Sequence, residues 1–300
     1  MQWTPDSKVL IQGISEPLGA YYAKRMKAYG TNIVAGVSVG KGGEQVEEIP
    51  IFDLVEQAVS EVGEIEISLI FVDPFHVLDA VVEAIAAGIR QIIIVSSGVP
   101  PLDMVRLLRK AQATNTFILG SGSHGLVIPE KLWLGISEPQ CYQPGKVGII
   151  SRIDSLCDEV ASTLTKANLG QSIAVSLGTD GIIGSNFEQW LQILEEDELT
   201  DAIVLLGQPD GSAEIAAAEY IASAIEKPVI AYIAGVNAPV ERRFGDAINI
   251  IATQLSQASP TTSTERQAIA ALKQAKVTIA KRISEIPKLL QKALKGIPRS

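Results

Sequence analysis

The sequence is poor in the residues that build disulfide, metal and nucleic-acid sites. It has two cysteines and two histidines in 300 residues, too few for a disulfide framework or a metal cluster. Acidic residues outnumber basic ones by 34 to 25, and a net charge of -9 argues against a nucleic-acid partner. No apolar run approaches the roughly 20 residues of a membrane-spanning helix. We therefore expect a cytoplasmic protein that binds no metal, nucleic acid or membrane.

Aromatic residues are also scarce, at 5% of the chain, although 47% of the residues are hydrophobic. The core should therefore consist mainly of Val, Ile, Leu and Ala. Short runs that are apolar throughout alternate with helical stretches, which predicts an α/β fold built on parallel sheets. The predicted strands lie near residues 8–12, 32–35, 67–72, 91–95, 116–119, 146–150, 172–176, 202–206, 229–233 and 248–252.

The chain opens with a strand, a glycine turn, a helix and a second strand, as a Rossmann-like domain does. The turn has glycines only at Gly13 and Gly19, and no acid follows the second strand to bind a ribose, so the pattern disfavours a nicotinamide oxidoreductase. A polar segment at 138–145 contains two prolines. We place a domain boundary there, with one α/β domain over residues 1–143 and another over 144–300.

A second pattern lies between Gly235 and Ile251, where a Gly-Val-Asn-Ala-Pro framework precedes Arg242 and Arg243. This segment resembles the phosphohistidine loop of succinyl-CoA synthetase (succinate–CoA ligase) α subunits. The resemblance covers almost the whole chain, with matches in the family order at Gly40–Gly43, Gly98–Met104, Pro144–Arg152, Gly184–Phe187 and Gly211–Glu214. It implies a Rossmann-like CoA-binding domain over 1–143, followed by a flavodoxin-like, parallel-sheet succinyl-CoA-ligase domain over 144–300.

The resemblance implies CoA as the ligand of the first domain. It implies contacts from Ser15, Leu18, Gly19, Lys41, Ser96 and Ser97. Glu16 stands where the family has a glycine, and Pro17 has no backbone N–H where a phosphate would bind. We therefore expect a weakened CoA site. In the alternative interpretation, Gly13 and Gly19 serve only the tight turn and helix packing.

Both positions that the resemblance assigns to phosphoryl transfer have changed. Asp246 stands at the family's phosphorylated histidine, and Gln208 stands at the glutamate that orients that histidine. A carboxylate opposes an incoming phosphate, and a glutamate at 208 facing Asp246 would form a like-charge pair. We therefore assign no catalytic residue. A loop carboxylate paired with Arg242 or Arg243 is the alternative role for Asp246.

Other departures concern the acyl-transfer site. The loop Gly120–Gly125 lacks the family's proline, asparagine and cysteine, and Asp158 replaces a substrate-contacting tyrosine. His124 is a candidate catalytic group in that loop, although a solvated loop residue is the alternative. The helix starts at Gly184–Phe187 and Gly211–Glu214 could bind an anion; capping by Ser185 and Ser212 is the alternative there.

These changes predict a succinyl-CoA synthetase α-subunit-like protein without standard ligase activity. It would act as a CoA- or nucleotide-sensing or scaffolding paralogue. The alternative is an active acyl-CoA ligase of altered mechanism or substrate that uses Asp246, His124 or a residue from another chain. The resemblance implies a β-subunit-like partner, and a homo-oligomer is the other arrangement left open.

Overall fold

The computed structural model describes residues 3–208, 212–234 and 264–295. Asp246 and the predicted strand at 248–252 lie outside these described residues. The chain divides into two units, the first formed by residues 1–144 and 173–185 and the second by 145–172 and 186–300. The boundary predicted between 143 and 144 stays a prediction. Within the described residues, no helix has the length and apolar character needed to cross a membrane.

Strands and helices alternate along much of both units. The strands are β1 (Val9–Gln12), β2 (Ile33–Val37), β3 (Gln45–Val46), β4 (Ile49–Phe52), β5 (Ile67–Ile70), β6 (Gln91–Ile94), β7 (Phe117–Leu119), β8 (Gly125–Ile128), β9 (Leu132–Gly135), β10 (Pro144–Ser151), β11 (Gln171–Ser176), β12 (Ala202–Gly207), β13 (Val229–Ile233) and β14 (Thr278–Ile279). The helices are α1 (Pro17–Tyr29), α2 (Val55–Val62), α3 (Val77–Ala86), α4 (Pro101–Thr114), α5 (Asp154–Lys166), α6 (Phe187–Glu196), α7 (Ser212–Ala224), α8 (Thr264–Gln274) and α9 (Ile286–Lys295).

The first unit contains a seven-stranded sheet in the order β3-β4-β2-β1-β5-β6-β7. Its strand pairs are parallel except for the antiparallel β3–β4 pair. The order runs outward in both directions from β1, as in a Rossmann fold. Core residues such as Leu10, Ile70 and Ile92 are fully buried, because helices cover the sheet. The same unit holds a smaller antiparallel array in which β8 pairs with both β9 and β11.

The second unit contains parallel strands in the order β10-β12-β13-β14. Helix α6 places Phe187 and Trp190, both fully buried, in the core of this unit. The predicted α/β fold with parallel sheets is confirmed by both units. The sheets are not purely parallel, because β3 pairs antiparallel with β4, and β8 pairs antiparallel with β9 and β11.

The prediction that Ser185 caps α6 is wrong. Asn186 holds the N-cap position with an extended backbone, and its side chain accepts a hydrogen bond from the Gln189 amide at 3.0 Å. In return, the Asn186 backbone amide donates to the side-chain oxygen of Gln189 at 3.1 Å. A capping box pairs the N-cap residue with the residue three positions later, which here is Asn186 with Gln189, so Ser185 precedes the cap.

An arginine fastens α1 to the segment after β9. The Arg25 guanidinium donates to both carboxylate oxygens of Glu138, at 2.8 and 3.2 Å. It also lies 5.2–5.6 Å from the ring centroids of Tyr21, Tyr22 and Trp133. The hydrogen bonds from Arg25 lower the pKa of Glu138, against a smaller opposing effect of burial. The contact therefore stabilises the ionised carboxylate.

This contact predicts a pH-dependent loss of stability in Glu138→Gln. Because the native pKa of Glu138 lies below the unfolded value of about 4.3, its contribution is complete above that value. It disappears as the pH falls through the lower native pKa. We expect Glu138→Gln to lower the free energy of unfolding by about 0.5–1 kcal/mol at pH 7, a small value because both side chains are partly exposed.

Urea denaturation at pH 7 and pH 3 measures the Glu138→Gln difference directly. The matched control is Glu64→Gln, which removes one exposed carboxylate of the same unit. A difference between wild type and Glu138→Gln that stayed equal at both pH values would contradict the ionic origin of the effect.

Candidate functional site

The candidate CoA contacts lie at one edge of the first sheet. Strands β1, β2 and β6 are parallel members of that sheet, so the loops that follow them leave from the same edge. Ser15, Leu18 and Gly19 follow β1, Lys41 follows β2, and Ser96 and Ser97 follow β6. In open α/β sheets, this carboxyl edge is where ligands bind. The fold thus brings the six residues to one edge.

The turn after β1 has few backbone donors left for an anion. The Ser15 amide donates to Ser38 Oγ at 3.1 Å, and the Glu16 amide donates to the Gly13 carbonyl at 3.0 Å. Pro17, the first residue of α1, has no N–H. The first-turn amides of a helix lack intrahelical partners, so Leu18 and Gly19 supply the donors that this helix start can offer.

Close packing explains both glycines of this turn. A Cβ at Gly19 would lie 2.2 Å from the Gly13 carbonyl oxygen, and a Cβ at Gly13 would lie 2.9 Å from the backbone of Phe71. Gly13 also has a positive φ of 80°, which favours glycine. The two glycines are therefore needed for the turn itself, whatever binds beside it.

Lys41 projects from the glycine-rich loop after β2. Its side chain is half exposed, and its ammonium lies 3.4 Å from the equally exposed Glu44 carboxylate. Such an exposed pair contributes about 0–1 kcal/mol, so the ammonium can exchange it for a phosphate.

The two serines after β6 differ in their surroundings. Ser96 is half-buried and its hydroxyl donates to the Val72 carbonyl. Ser97 is exposed on the same loop. Ser97 is therefore the more accessible hydroxyl for a ligand at this edge.

Asp180, which the sequence patterns did not single out, binds the same loop. Its carboxylate accepts from the Gly98 amide at 2.9 Å and from Ser121 Oγ at 2.7 Å. It thereby ties the loop after β6 to the loop after β7. The sequence could have indicated this role, because Asp180 lies between glycines in Gly178–Gly181, just after β11, and acids in glycine turns commonly bind backbone amides.

Ser123 and the backbone of His124 in the loop after β7 take part in structural contacts. The Ser123 hydroxyl donates to the Ser176 carbonyl and accepts from the Gly125 amide at 2.8 Å. The His124 amide donates to Ser176 Oγ at 3.2 Å, and the residue is half-buried. The serine at the family's cysteine position thus helps to position the loop.

Gln208 lies at the carboxyl end of β12 in the second unit. Its side-chain Nε2 donates to the Arg152 carbonyl oxygen at 2.7 Å. Its backbone amide donates at 2.8 Å to the carboxylate of Glu214, a residue 1% exposed in the first turn of α7. The structure therefore uses Gln208 to join the ends of β10 and β12 to α7. Across the described ranges, no group of three His, Cys, Asp or Glu side chains is arranged to hold a metal ion.

Comparison with known proteins agrees with this arrangement. Residues 4–98 match the CoA binding domain model, and residues 150–281 match the CoA-ligase model. The chain is 41% identical over 245 residues to succinate–CoA ligase [ADP-forming] subunit alpha 2 of Archaeoglobus fulgidus, covering 82% of this chain and 85% of that protein. It is 42% identical to the corresponding alpha subunit of Aquifex aeolicus, covering 82% and 81%. The chain belongs to the succinate–CoA ligase α-subunit family.

Solved structures support the fold assignment of this family member. ATP citrate lyase of Methanosaeta concilii, in complex with (3S)-citryl-CoA, superposes with a TM-score of 0.85 at 18% identity. The match covers 98% of this chain and 50% of the lyase chain, so this chain spans about half the length of the lyase. At this identity the likeness concerns the fold alone. The expected CoA-binding domain followed by a CoA-ligase domain is thus confirmed.

Proposed function

We propose that this chain binds CoA in its first unit and does not make succinyl-CoA through a phosphorylated histidine. The second part rests on the bond from Gln208 Nε2 to the Arg152 carbonyl. A carboxylate has no hydrogen to donate to that oxygen, so the position suits an amide. The resemblance places at 208 the glutamate that orients the histidine.

Asp246 supports the same proposal from the sequence. It occupies the position of the phosphorylated histidine, and its carboxylate has the same sign of charge as the phosphate it would receive. The inherited phosphoryl transfer therefore lacks both its nucleophile and the partner of that nucleophile. On this proposal the protein senses CoA or a nucleotide, or serves as a scaffold, together with a β-subunit-like partner or a second copy.

CoA binding is supported by the match to the CoA binding domain model and by the six candidate contacts at one sheet edge. We propose that this site is weakened. Glu16 brings a negative charge to the turn, and Pro17 removes one donor at the start of α1. The remaining attraction for phosphate comes from Lys41 and from the first-turn amides of Leu18 and Gly19.

An active acyl-CoA ligase of altered mechanism or substrate is the second candidate. Sequence identity favours this candidate. Three succinate–CoA ligase α subunits, two from Archaeoglobus fulgidus and one from Aquifex aeolicus, are 36–42% identical over 82–96% of this chain. The second candidate would use Asp246 or His124 in a covalent step, so it predicts a phosphorylated chain.

The CoA prediction is tested by calorimetric titration and by thermal unfolding with CoA. A ligand at 100 times its Kd raises the free energy of unfolding by about 2.7 kcal/mol. We expect a rise in Tm of several degrees with CoA and none with pantothenate, which lacks the nucleotide. Absence of any CoA effect at millimolar concentration would remove the binding half of the proposal.

The activity prediction uses the full chain with succinate, CoA, ATP or GTP and a family β subunit. An α subunit that retains the histidine, assayed with the same β subunit, is the positive control. We expect succinyl-CoA at the no-protein background and no label transferred from γ-labelled nucleotide. Turnover above background, or a labelled chain, would establish the ligase alternative instead.

A further inference from the structure

Asp53 lies directly behind the loop that carries Lys41. Strand β4 runs parallel to β2 beside it, with Val37 opposite Phe52, so the residue after β4 lies close to the loop after β2. The half-buried Asp53 accepts through one carboxylate oxygen from the Gly40 amide at 2.7 Å and the Gly42 amide at 3.1 Å. Its carboxylate thus binds the residues on both sides of Lys41.

The rest of the loop closes tightly around this carboxylate. A Cβ at Gly42 would lie 2.5 Å from the second oxygen of Asp53, so a side chain there would displace the carboxylate. The Lys41 amide donates to the Ser38 carbonyl at 3.1 Å, and the Gly43 amide donates to the Ile51 carbonyl at 3.0 Å. Consecutive backbone bonds therefore fix the position from which the Lys41 side chain projects.

This arrangement determines which groups of the loop can bind a phosphate. In many glycine-rich loops the backbone amides cradle the anion, but here the Gly40 and Gly42 amides bind Asp53. The Lys41 ammonium, which is half exposed, remains as the positive group.

We propose that Asp53 is a positioning residue for Lys41: its carboxylate binds the amides on both sides of the lysine and so fixes the backbone from which the ammonium reaches a phosphate of CoA. The inference rests on the proposed CoA binding of the first unit. Asp53 itself does not touch the ligand. It acts by holding the backbone on both sides of the lysine.

The direction of the change in CoA affinity on substituting Asp53 distinguishes a positioning role from a purely electrostatic one. If Asp53 acted only through its negative charge, both Asp53→Ala and Asp53→Asn would tighten CoA binding, because a charge that repels phosphate is removed. If it positions Lys41, Asp53→Ala weakens binding. Asp53→Asn then retains binding, because its amide oxygen accepts the same two bonds.

The experiment measures CoA affinity by calorimetry on full-length variants whose Tm values are recorded alongside. We expect Lys41→Met to weaken CoA about tenfold and Asp53→Ala to weaken it three- to tenfold. The double variant should bind no more weakly than Lys41→Met, because residues that act as a unit are not additive. Asp79→Ala, which removes an exposed aspartate from α3 of the same unit, is the matched control.

Hydrogen exchange of the 38–44 backbone is the second readout. The Gly40 and Gly42 amides should exchange faster in Asp53→Ala than in Asp53→Asn or Asp79→Ala. If Asp53→Ala does not fold, Gly42→Ala replaces it, since the added Cβ displaces the same carboxylate and should weaken CoA equally. Wild-type affinity in the variant used, or losses that multiply when it is combined with Lys41→Met, would overturn the inference. A wild-type chain that binds no CoA would overturn the proposed function itself.

Discussion

Gly19→Ala is expected to lower the free energy of unfolding by about 2–3 kcal/mol, the upper part of the roughly 1–3 kcal/mol found for overpacked cores. Alanine is the better helix former by about 1 kcal/mol, so in an open helix the same change would stabilise the protein. Here the added Cβ lies 2.2 Å from the Gly13 carbonyl oxygen and 3.2 Å from Ile14 Cα. Both neighbours are backbone atoms, so the start of α1 must move away from the turn.

Thermal unfolding measures the Gly19→Ala effect, and a fall in Tm of roughly 3–5 °C is expected for a chain of this size. The control is Gly30→Ala at the other end of α1, where an added Cβ meets nothing within 4 Å. That variant should lose only about 1–2 kcal/mol, from the left-handed φ of 107°. A Tm for Gly19→Ala at or above wild type would show that helix propensity outweighs the contact.

Gln208→Glu is expected to lower the free energy of unfolding by about 2 kcal/mol at pH 8, within the range for a buried group that loses its partner. The introduced carboxylate cannot donate to the Arg152 carbonyl, and the same residue's backbone already contacts the buried carboxylate of Glu214. Both features disfavour the charged form, so the native pKa of the introduced carboxyl should lie above its unfolded value of about 4.3.

The pH dependence of Gln208→Glu therefore has a definite sign. The native state holds the proton more tightly than the unfolded state, so the destabilisation is full above the raised native pKa and diminishes as the pH falls toward the unfolded value. A protonated carboxyl can again donate to the Arg152 carbonyl.

Urea denaturation from pH 8 to pH 4 checks this dependence. Gln189→Glu is the matched control in the same unit, because the Gln189 side chain accepts a bond, and a carboxylate accepts it equally well. Equal destabilisation of Gln208→Glu across the whole pH range would argue against loss of the donor to the Arg152 carbonyl as the cause.

The strands of both parallel arrays could be predicted because burial on both faces makes them apolar throughout. The strand predicted at 229–233 coincides with β13, and the one predicted at 67–72 differs from β5 only at its end. The hairpin β8–β9 was not predicted. Strand β8 of this hairpin also pairs with β11, where Ala174 lies opposite Val127, so the pairing joins residues far apart in the chain.

Helix α2 was also missed, although its pattern was available. Val55 and Ala58 are buried at helical spacing, but the many acidic residues around them obscure this short apolar pattern. Strands β3 and β4 are short, with two and four residues; β3 has no buried residue, and β4 alternates between buried and half-buried positions. Without these elements, the position of Asp53 behind the Lys41 loop could not be inferred.

The site predictions show the same limit. A resemblance identified the positions of Gln208 and Lys41, but the contacts of those residues depend on the fold. Asp180 reaches an amide 82 residues away at Gly98, and Gln208 reaches a carbonyl 56 residues away at Arg152. No local pattern encodes such a pairing, because it depends on which strand ends become neighbours.

The scarcity of aromatic residues has a practical consequence for spectroscopy. Of the three tryptophans, Trp133 is 1% exposed in the first unit and Trp190 is fully buried in the second. Trp3 is the third, so Trp3→Phe leaves one tryptophan in each unit. In that variant, a further Trp190→Phe change leaves Trp133 to report the melting of the first unit. A further Trp133→Phe change leaves Trp190 to report the melting of the second unit.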